Sequence, residues 1–315
     1  MPYVNQGKEI AMLKLAFIVP PHVELLDLAG PVQVFTEAKF YGFDLEIEFY
    51  SYKDTATTST SGLGFGKISN YSEARLRPGD FLFIPGMNFD YITSEEFRSE
   101  KGFFNWLKEC AGRGVFVCSV CDAAFALGEA GLLDGRECTT HWRRVEALQS
   151  RFPKAKVASD ILYVKSDNIY TSAGISAGID LALSILEDLK GPRFVHIVAR
   201  GLVVYHRRSQ NQSQQSVYLD FRNHINPKIH EVQDFIVDNL AGDNSIENLA
   251  SRVAMSPRNL SRAFKEATGV TIVEYLTKLR IENAKTLLNN PEYTIDYVAA
   301  QCGFKTARQL QRILK

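Results

Sequence analysis

The sequence predicts an α/β sandwich around a mostly parallel sheet, followed by an all-α region carrying two helix-turn-helix units. Three observations carry this reading. Short continuous apolar runs alternate with helical patterns from Lys14 to about Tyr205. Only helical periodicity appears from Lys228 to Lys315. Between the two lies a polar, Gln-rich stretch, RRSQNQSQQS, with no aliphatic residue. Continuous apolar runs suit strands buried on both faces, as parallel sheets require. A stretch that cannot bury apolar surface reads as a linker. The expected organisation is a domain over residues 1–205, a linker over 206–227 and a helical domain over 228–315.

Each element follows from its pattern. LAFIVP is a short apolar run closed by Pro20-Pro21, and LLDLAGPVQVFTEA has helical spacing. Glu46–Tyr52 alternates as a strand does, and Asp80–Gly86 is a second apolar run ended by Pro-Gly. An amphipathic helix is predicted around Glu95–Cys110, then the strand VFVCSV and the helical AAFALGEAGLL. ILYVKSDNIYTSAG reads as a hairpin turning at Asp167-Asn168, with the helix GIDLALSILEDL behind it. GLGFG (Gly62–Gly66) lacks a following helix and reads as a loop or hairpin rather than a phosphate cradle.

Composition sets the function classes that remain. The 315 residues are 45% hydrophobic and 23% charged, which excludes wholesale disorder, a collagen-like repeat and a small disulfide scaffold. Five cysteines, Cys110, Cys118, Cys121, Cys138 and Cys302, fit free thiols in a reducing compartment. No apolar stretch approaches the roughly 18 residues that a membrane span needs, so the expected location is cytoplasmic. The formal net charge is zero, which at first weighs against a polyanionic partner. Dividing the chain at the linker removes that objection. Residues 206–315 hold 15 Lys+Arg against 11 Asp+Glu, whereas residues 1–205 hold 21 against 25. An acidic domain and a mildly basic one have averaged to nothing.

The basic part carries the most specific pattern. Ser245 caps a short helix with Ile246, Leu249, Ala250 and Val253 on one side. After a break at Met255, Ser256-Pro257 is a Ser cap with Pro at the first helical position. The helix it starts buries Leu260, Ala263 and Phe264, leaving Arg258, Asn259, Ser261, Arg262 and Lys265 on or near its exposed face. This is a helix-turn-helix, whose second helix enters the major groove, where Arg pairs with guanine and Asn with adenine. A second copy spans Tyr293–Lys315, with Thr294 as cap, Gly303-Phe304 as turn, and a last helix capped by Thr306 that carries Arg308, Gln309, Gln311 and Arg312. The long helix TIVEYLTKLRIENAKTLL joins them and would hold the two reading helices about one duplex turn apart.

In the first domain, Cys121 stands where an apolar strand meets a helix. A strand-to-helix turn projects such a side chain into the crevice at the strand ends. Cys121 is thus a candidate nucleophile or sensor, with a small buried hydrophobe as the alternative. Asp27 in LLDLAGP is a carboxylate among apolar neighbours, expected to be buried, raised in pKa and hydrogen-bonded to the thiol. Its alternative role is a helix N-terminal charge. Gly86 would bring backbone N–H groups to the same crevice, and His141 in CTTHW would complete a Cys–His pair unless its ring is structural beside Trp142. Asp122 follows Cys121 directly, and two acids near one thiol disfavour the thiolate, so peptidase activity is not expected. Cys118 and Cys121 form a C-x-x-C pair, but within a strand they would project to opposite faces, against a redox or metal role.

Two resemblances extend these readings. The blocks S-P-R-N-L-S-R-x-F and C-G-F resemble the DNA-binding domain of AraC-family transcriptional regulators. That resemblance implies base contacts from Arg258, Ser261 and Arg262 in the first unit and from Arg308, Gln311 and Arg312 in the second. Asn259 joins them at a position that can face the DNA backbone. Family members usually continue into a closing segment beyond the second reading helix, so either this second helix-turn-helix is less stable or the chain is shortened. The blocks LLDLAGPVQVF, FLFIPG, AAFALGEAGLLDG, TTHW and YTSAGISAGIDLAL resemble the PfpI-like branch of the class I glutamine amidotransferase-like superfamily. This implies a flavodoxin-like sandwich, usually dimeric, with Cys121 at the nucleophile elbow and Asp27 at the partner-acid position. The whole order is similar to GlxA-type AraC-family regulators. The resemblance implies a transcriptional regulator rather than an enzyme, with double-stranded DNA, a small-molecule effector, a second copy of the chain and RNA polymerase as partners. Asp27, Gly86, Cys121, Asp122 and His141 would line the effector site, with no cofactor or metal. The alternative is a small-molecule hydratase or hydrolase using Cys121 and Asp27.

Overall fold

The computed structural model describes residues 12–54, 56–204, 208, 210, 214, 217–288 and 293–314. The chain divides into two units, Met1–Gln210 and Asn211–Lys315. Much of the Gln-rich part of the expected linker lies outside the described residues.

The first unit runs β1 (Leu13–Ile18), α1 (Leu25–Phe40), β2 (Leu45–Ser51), β3 (Ser69–Asn70), β4 (Phe81–Ile84), α2 (Phe89–Ile92), α3 (Glu95–Arg98), α4 (Lys101–Gly112) and β5 (Phe116–Val120). It continues through α5 (Ala124–Glu129), β6 (Glu137–Cys138), α6 (Val145–Arg151), β7 (Lys156–Val157), β8 (Tyr163–Ser166), β9 (Ile169–Ser172), α7 (Ser176–Lys190) and α8 (Pro192–Gly201). The main sheet has the order β3-β2-β1-β4-β5-β9-β8, parallel throughout except for β8 against β9.

Alternation along each central strand feeds two cores. Leu15, Phe17, Phe81, Phe83, Cys118 and Val120 face α1, α7 and α8 through residues such as Phe35, Leu181 and Val198. Ala16, Ile18, Leu82, Ile84 and Val117 face α3, α4, α5 and α6 through Phe97, Leu107, Phe125 and Leu148. Both faces are covered, which explains why the strands read as continuous apolar runs. The α/β class and its mostly parallel sheet are therefore as expected.

Local differences have local causes. The helix expected over Glu95–Cys110 is broken between α3 and α4, where the Lys101 N–H bonds back to the Ser99 carbonyl. The break gathers Phe97, Phe103 and Phe104 into one aromatic cluster, with ring centroids 5.2 Å apart for Phe97–Phe104 and 6.0 Å for Phe103–Phe104. Strands β3, β6 and β7 are two residues each and too short to leave a pattern in sequence.

The second unit comprises α9 (Val217–Asp220), α10 (Pro227–Asp238), α11 (Ile246–Arg252), α12 (Pro257–Thr268), α13 (Ile272–Leu287), α14 (Ile295–Gln301) and α15 (Ala307–Leu314). Helix α9 falls inside the segment expected to be linker, and its Val217 N–H bonds Glu282 on α13. Two separate cores form. Ile229, Val232, Leu249, Leu260, Phe264 and Tyr275 make the first, and Ala284, Val298, Cys302, Phe304 and Leu310 the second. Helix α13 gives its first half to one and its second half to the other.

Candidate functional site

The chain order reverses at β1, which pairs with β2 on one side and β4 on the other. Open parallel sheets hold their ligand crevices at the carboxyl ends of strands around such a switch point. Here that end gathers Asp27 on α1, Gly86 after β4, Cys121 after β5 and Gly174 after β9.

Cys121 leaves β5 with φ +63°, a left-handed conformation costing a side-chain-bearing residue about 1–3 kcal/mol. The surroundings hold it there. Its carbonyl accepts a hydrogen bond from Thr140 Oγ1 at 2.9 Å. Gly174, at φ +94°, packs so closely that a Cβ on it would overlap Cys121 Cβ and lie 2.6 Å from Sγ. A Cβ on Gly86 would collide with Asp27 Oδ2 and stand 2.9 Å from Cys121 Cβ and 3.0 Å from Asp122 Oδ1. Glycine at these two positions is what allows a thiol and two carboxyls to converge.

Asp27 arrives through close helix packing. Gly30 on α1 lies against Ile179 of α7, and Gly178 of α7 lies against Pro31 of α1 and Val120 of β5. The carboxyl is 1% exposed. Its Oδ1 accepts the Ile175 N–H at 2.5 Å, and Ile175 itself sits at φ +47°, costly for a β-branched residue. Oδ2, turned toward Gly86 and Cys121, makes no hydrogen bond of normal geometry. Burial pushes the Asp27 pKa up to about 6; the Ile175 N–H and the neighbouring thiol pull the other way, and the Glu24 charge adds to the rise. Asp122 accepts the Met87 N–H at 3.2 Å. Burial raises its pKa to about 7, opposed by that N–H, reinforced by Asp27 and relieved in part by Arg144. Burial also drives the Cys121 thiol well above the ordinary range, with the charges of Asp27 and Asp122 adding to it.

The arrangement therefore stores protons and keeps sulfur neutral. A thiol that is neutral and walled in by glycine backbone is a poor nucleophile. Iodoacetamide at pH 8 is expected to alkylate Cys121 at least ~100-fold more slowly than in the urea-unfolded chain, measured by peptide mass mapping. Equal rates would remove this reading.

The other expected lining residue, His141, is half-buried and caps a short helical turn, its Nδ1 accepting the Arg143 N–H at 3.3 Å. Its ring stacks on Trp142 at 5.7 Å, and burial lowers its pKa, as do Arg143 and Arg144. The hydrogen bond from this block to Cys121 comes from Thr140 instead. Thr140, Arg144, Gly174 and Ile175 are crevice residues that sequence reasoning did not select. Cys118 and Cys121 pack into the same core, not opposite ones, because the chain leaves the strand at Val120 and alternation ends there. Both are free thiols.

The second unit presents a different surface. Ser256 Oγ accepts the Asn259 N–H at the start of α12, and Thr306 Oγ1 accepts the Gln309 N–H at the start of α15. Arg258, Asn259, Arg262, Arg308, Gln311 and Arg312 are exposed, and Ser261 is half-buried with its hydroxyl donating to the Pro257 carbonyl. The two helices repeat in register at fifty residues: Ser256 with Thr306, Arg258 with Arg308, Leu260 with Leu310, Ser261 with Gln311, Arg262 with Arg312. Leu260 and Leu310 are the buried members. Arg258, Ser261 and Arg262, and their counterparts, share one stripe opposite that buried face by the 3.6-residue repeat.

Comparison with known proteins places both units. Residues 13–188 match the DJ-1/PfpI family and residues 249–315 a helix-turn-helix domain. The HTH-type transcriptional regulator CdhR of Pseudomonas aeruginosa is 25% identical over 299 residues, covering 94% of this chain and 86% of that regulator. The HTH-type transcriptional regulator GbdR of the same species is 30% identical over 200 residues, 63% of this chain and 54% of its own length. An isonitrile hydratase of Pseudomonas putida is 27% identical over 179 residues, covering 57% of this chain and 73% of the enzyme. Among solved structures, an AraC family transcriptional regulator from Pseudomonas putida superposes with TM-score 0.53 at 20% identity, over 60% of this chain and 99% of that one.

Proposed function

This chain belongs to the DJ-1/PfpI family, and from that membership and its paired helix-turn-helix units we propose a sequence-specific transcriptional regulator that senses a small metabolite. The observation that carries the proposal is the fifty-residue repeat of capped reading helices with exposed Arg at matching positions. The named regulators CdhR and GbdR support it by similarity. Arg258, Asn259, Ser261 and Arg262 read one stretch of bases, and Arg308, Gln311 and Arg312 the next.

The Asp27, Gly86, Cys121, Asp122 and His141 crevice is the effector site. An effector alters transcription only through unequal affinity for two arrangements of the protein. A homodimer would double the number of reading helices, which suits a chain whose residues 206–315 carry a basic excess of only four charges. The protein works in the cytoplasm, where its five thiols stay reduced, and acts on RNA polymerase at the promoter. Among the described residues no helix is long and apolar enough to cross a membrane.

Similarity to an isonitrile hydratase motivates a second reading, hydration at Cys121. Two raised carboxyls beside a walled thiol weigh against it. The deciding experiment is selection of duplexes from a random-sequence library by the purified full chain. Enrichment of a defined sequence bound in a salt-sensitive manner is expected. Enrichment of nothing, with turnover of an isonitrile, would give the hydratase reading instead.

A further inference from the structure

The two helix-turn-helix cores share α13 and no buried residue, so a second connection is needed to fix how they sit on that helix. The structure contains one. After α10 ends, the Leu240 carbonyl accepts a hydrogen bond from Arg280 Nε at 3.0 Å. Arg280 lies at the middle of α13, where the first core gives way to the second. Gly303, in the turn of the second unit at φ +74°, closes on the same point. A Cβ built on it would stand 2.7 Å from the Leu240 carbonyl oxygen, 2.8 Å from Ala241 Cα and 2.8 Å from Arg280 Nη2. Three segments of the helical unit, from the first core, from α13 and from the second helix-turn-helix, thus meet around one carbonyl.

The chemistry explains the choice of residues. Leu240 lies two residues beyond α10, and a guanidinium, being a charged donor, makes a stronger hydrogen bond to its carbonyl than a neutral donor would. Among the described residues no carboxylate forms an ion pair with Arg280, so its hydrogen bonding is directed to this junction. Glycine at 303 is demanded twice, by its left-handed φ and by the approach of backbone. Only Gly satisfies both without displacing α10 or α13.

We propose that Arg280, Gly303 and the Leu240 carbonyl form a strut that sets the separation of α12 and α15, and hence the spacing between the two base blocks this protein reads. Arg280 and Gly303 are positioning residues in this proposal. The inference rests on the DNA-binding reading above. Its physical basis is that two reading modules held rigidly bind one duplex with high effective concentration only when their separations agree. Loosening the strut keeps each module intact and relaxes the spacing.

The test uses the duplex selected from a random-sequence library by the full wild-type chain. Wild type is expected to select two base blocks at one spacing, and inserting two base pairs between the blocks should weaken binding by at least ~10-fold. For Arg280→Ala the same insertion should cost less than ~3-fold, with both blocks still selected but at several spacings. Gly303→Ala should behave in the same direction. Thermal unfolding is followed in parallel, and Arg280→Met replaces Arg280→Ala if the latter fails to fold, because it keeps an aliphatic stem in that space and loses the donor for Leu240. An unchanged insertion penalty in the folded Arg280 variant and in Gly303→Ala overturns the strut. So does selection of only one block by wild type, which leaves DNA binding itself standing. Selection of no duplex removes the DNA-binding reading and the strut together.

Discussion

Alanine in place of both Arg262 and Arg312 is expected to weaken binding to the selected duplex by at least ~30-fold and to relax base preference in both blocks. Each bidentate Arg–guanine contact is worth about 1–3 kcal/mol of discrimination, so losing one from each unit reaches that range at its lower end. The two residues hold the same helical position, six places beyond the capping Ser256 and Thr306, and both are exposed on the stripe opposite Leu260 and Leu310. Neither substitution removes a buried contact, so the unfolding temperature should stay within a few degrees. Lys265→Ala is the informative contrast. A lysine one turn further along α12 suits a phosphate, so its loss should weaken all duplexes equally and reduce the log–log salt slope by about 1. Gel shifts across a salt series separate the two patterns. Arg193→Ala, an exposed arginine of the first unit, serves as the control. If the double variant bound as wild type does, α12 and α15 would not be the reading helices.

The parts of this molecule legible in sequence are those whose determinants are local. The caps of α12 and α15 are read from Ser256-Pro257 and Thr306 because a cap is a matter of one side chain and the N–H three residues on. Strands β1, β4 and β5 are read from their apolar runs. The strained turn at Cys121 is read from the junction of a run with a helix. The crevice is different, because its partners are distant along the chain. Asp27 could be nominated as a buried acid, yet the group that binds it is the N–H of Ile175, 148 residues away. No side-chain pattern marks a backbone donor. Gly174 stands as one glycine among 21 until its contact with Cys121 is seen. In the CTTHW block the histidine drew attention as a chemical residue, whereas the threonine before it makes the contact. The strut at Leu240 was hidden for the same reason, its acceptor being main chain.

The stability of the first unit is expected to fall as pH rises from about 4 to 7, and Asp122→Asn is expected to flatten that fall. The sign follows from the raised values. In the unfolded chain both aspartates titrate near 3.8, whereas in the folded unit Asp27 titrates at about 6 and Asp122 at about 7. Between those values the folded state holds more protons than the unfolded one. Stability is therefore fully present below about 4 and is lost as pH climbs through 6 and 7. Together the two groups should contribute on the order of a few kcal/mol across the window. Asn at 122 keeps an acceptor for the Met87 N–H and has no proton to lose. The variant should match wild type near pH 4 and exceed it by at least ~1 kcal/mol at pH 8. Urea unfolding followed by tryptophan fluorescence isolates the effect, because the protein's two tryptophans, Trp106 and Trp142, both lie in the first unit. Parallel curves for the two proteins would show that the carboxyls are not held protonated. The difference matters for signalling. A crevice that holds two costly carboxyls and two left-handed residues, Cys121 and Ile175, is destabilised at neutral pH when no effector is bound. An effector that supplies hydrogen bonds or positive charge to Asp122 and Asp27 would relieve that cost wherever the crevice keeps this geometry. Unequal affinity of this kind is what a regulator requires of its sensor.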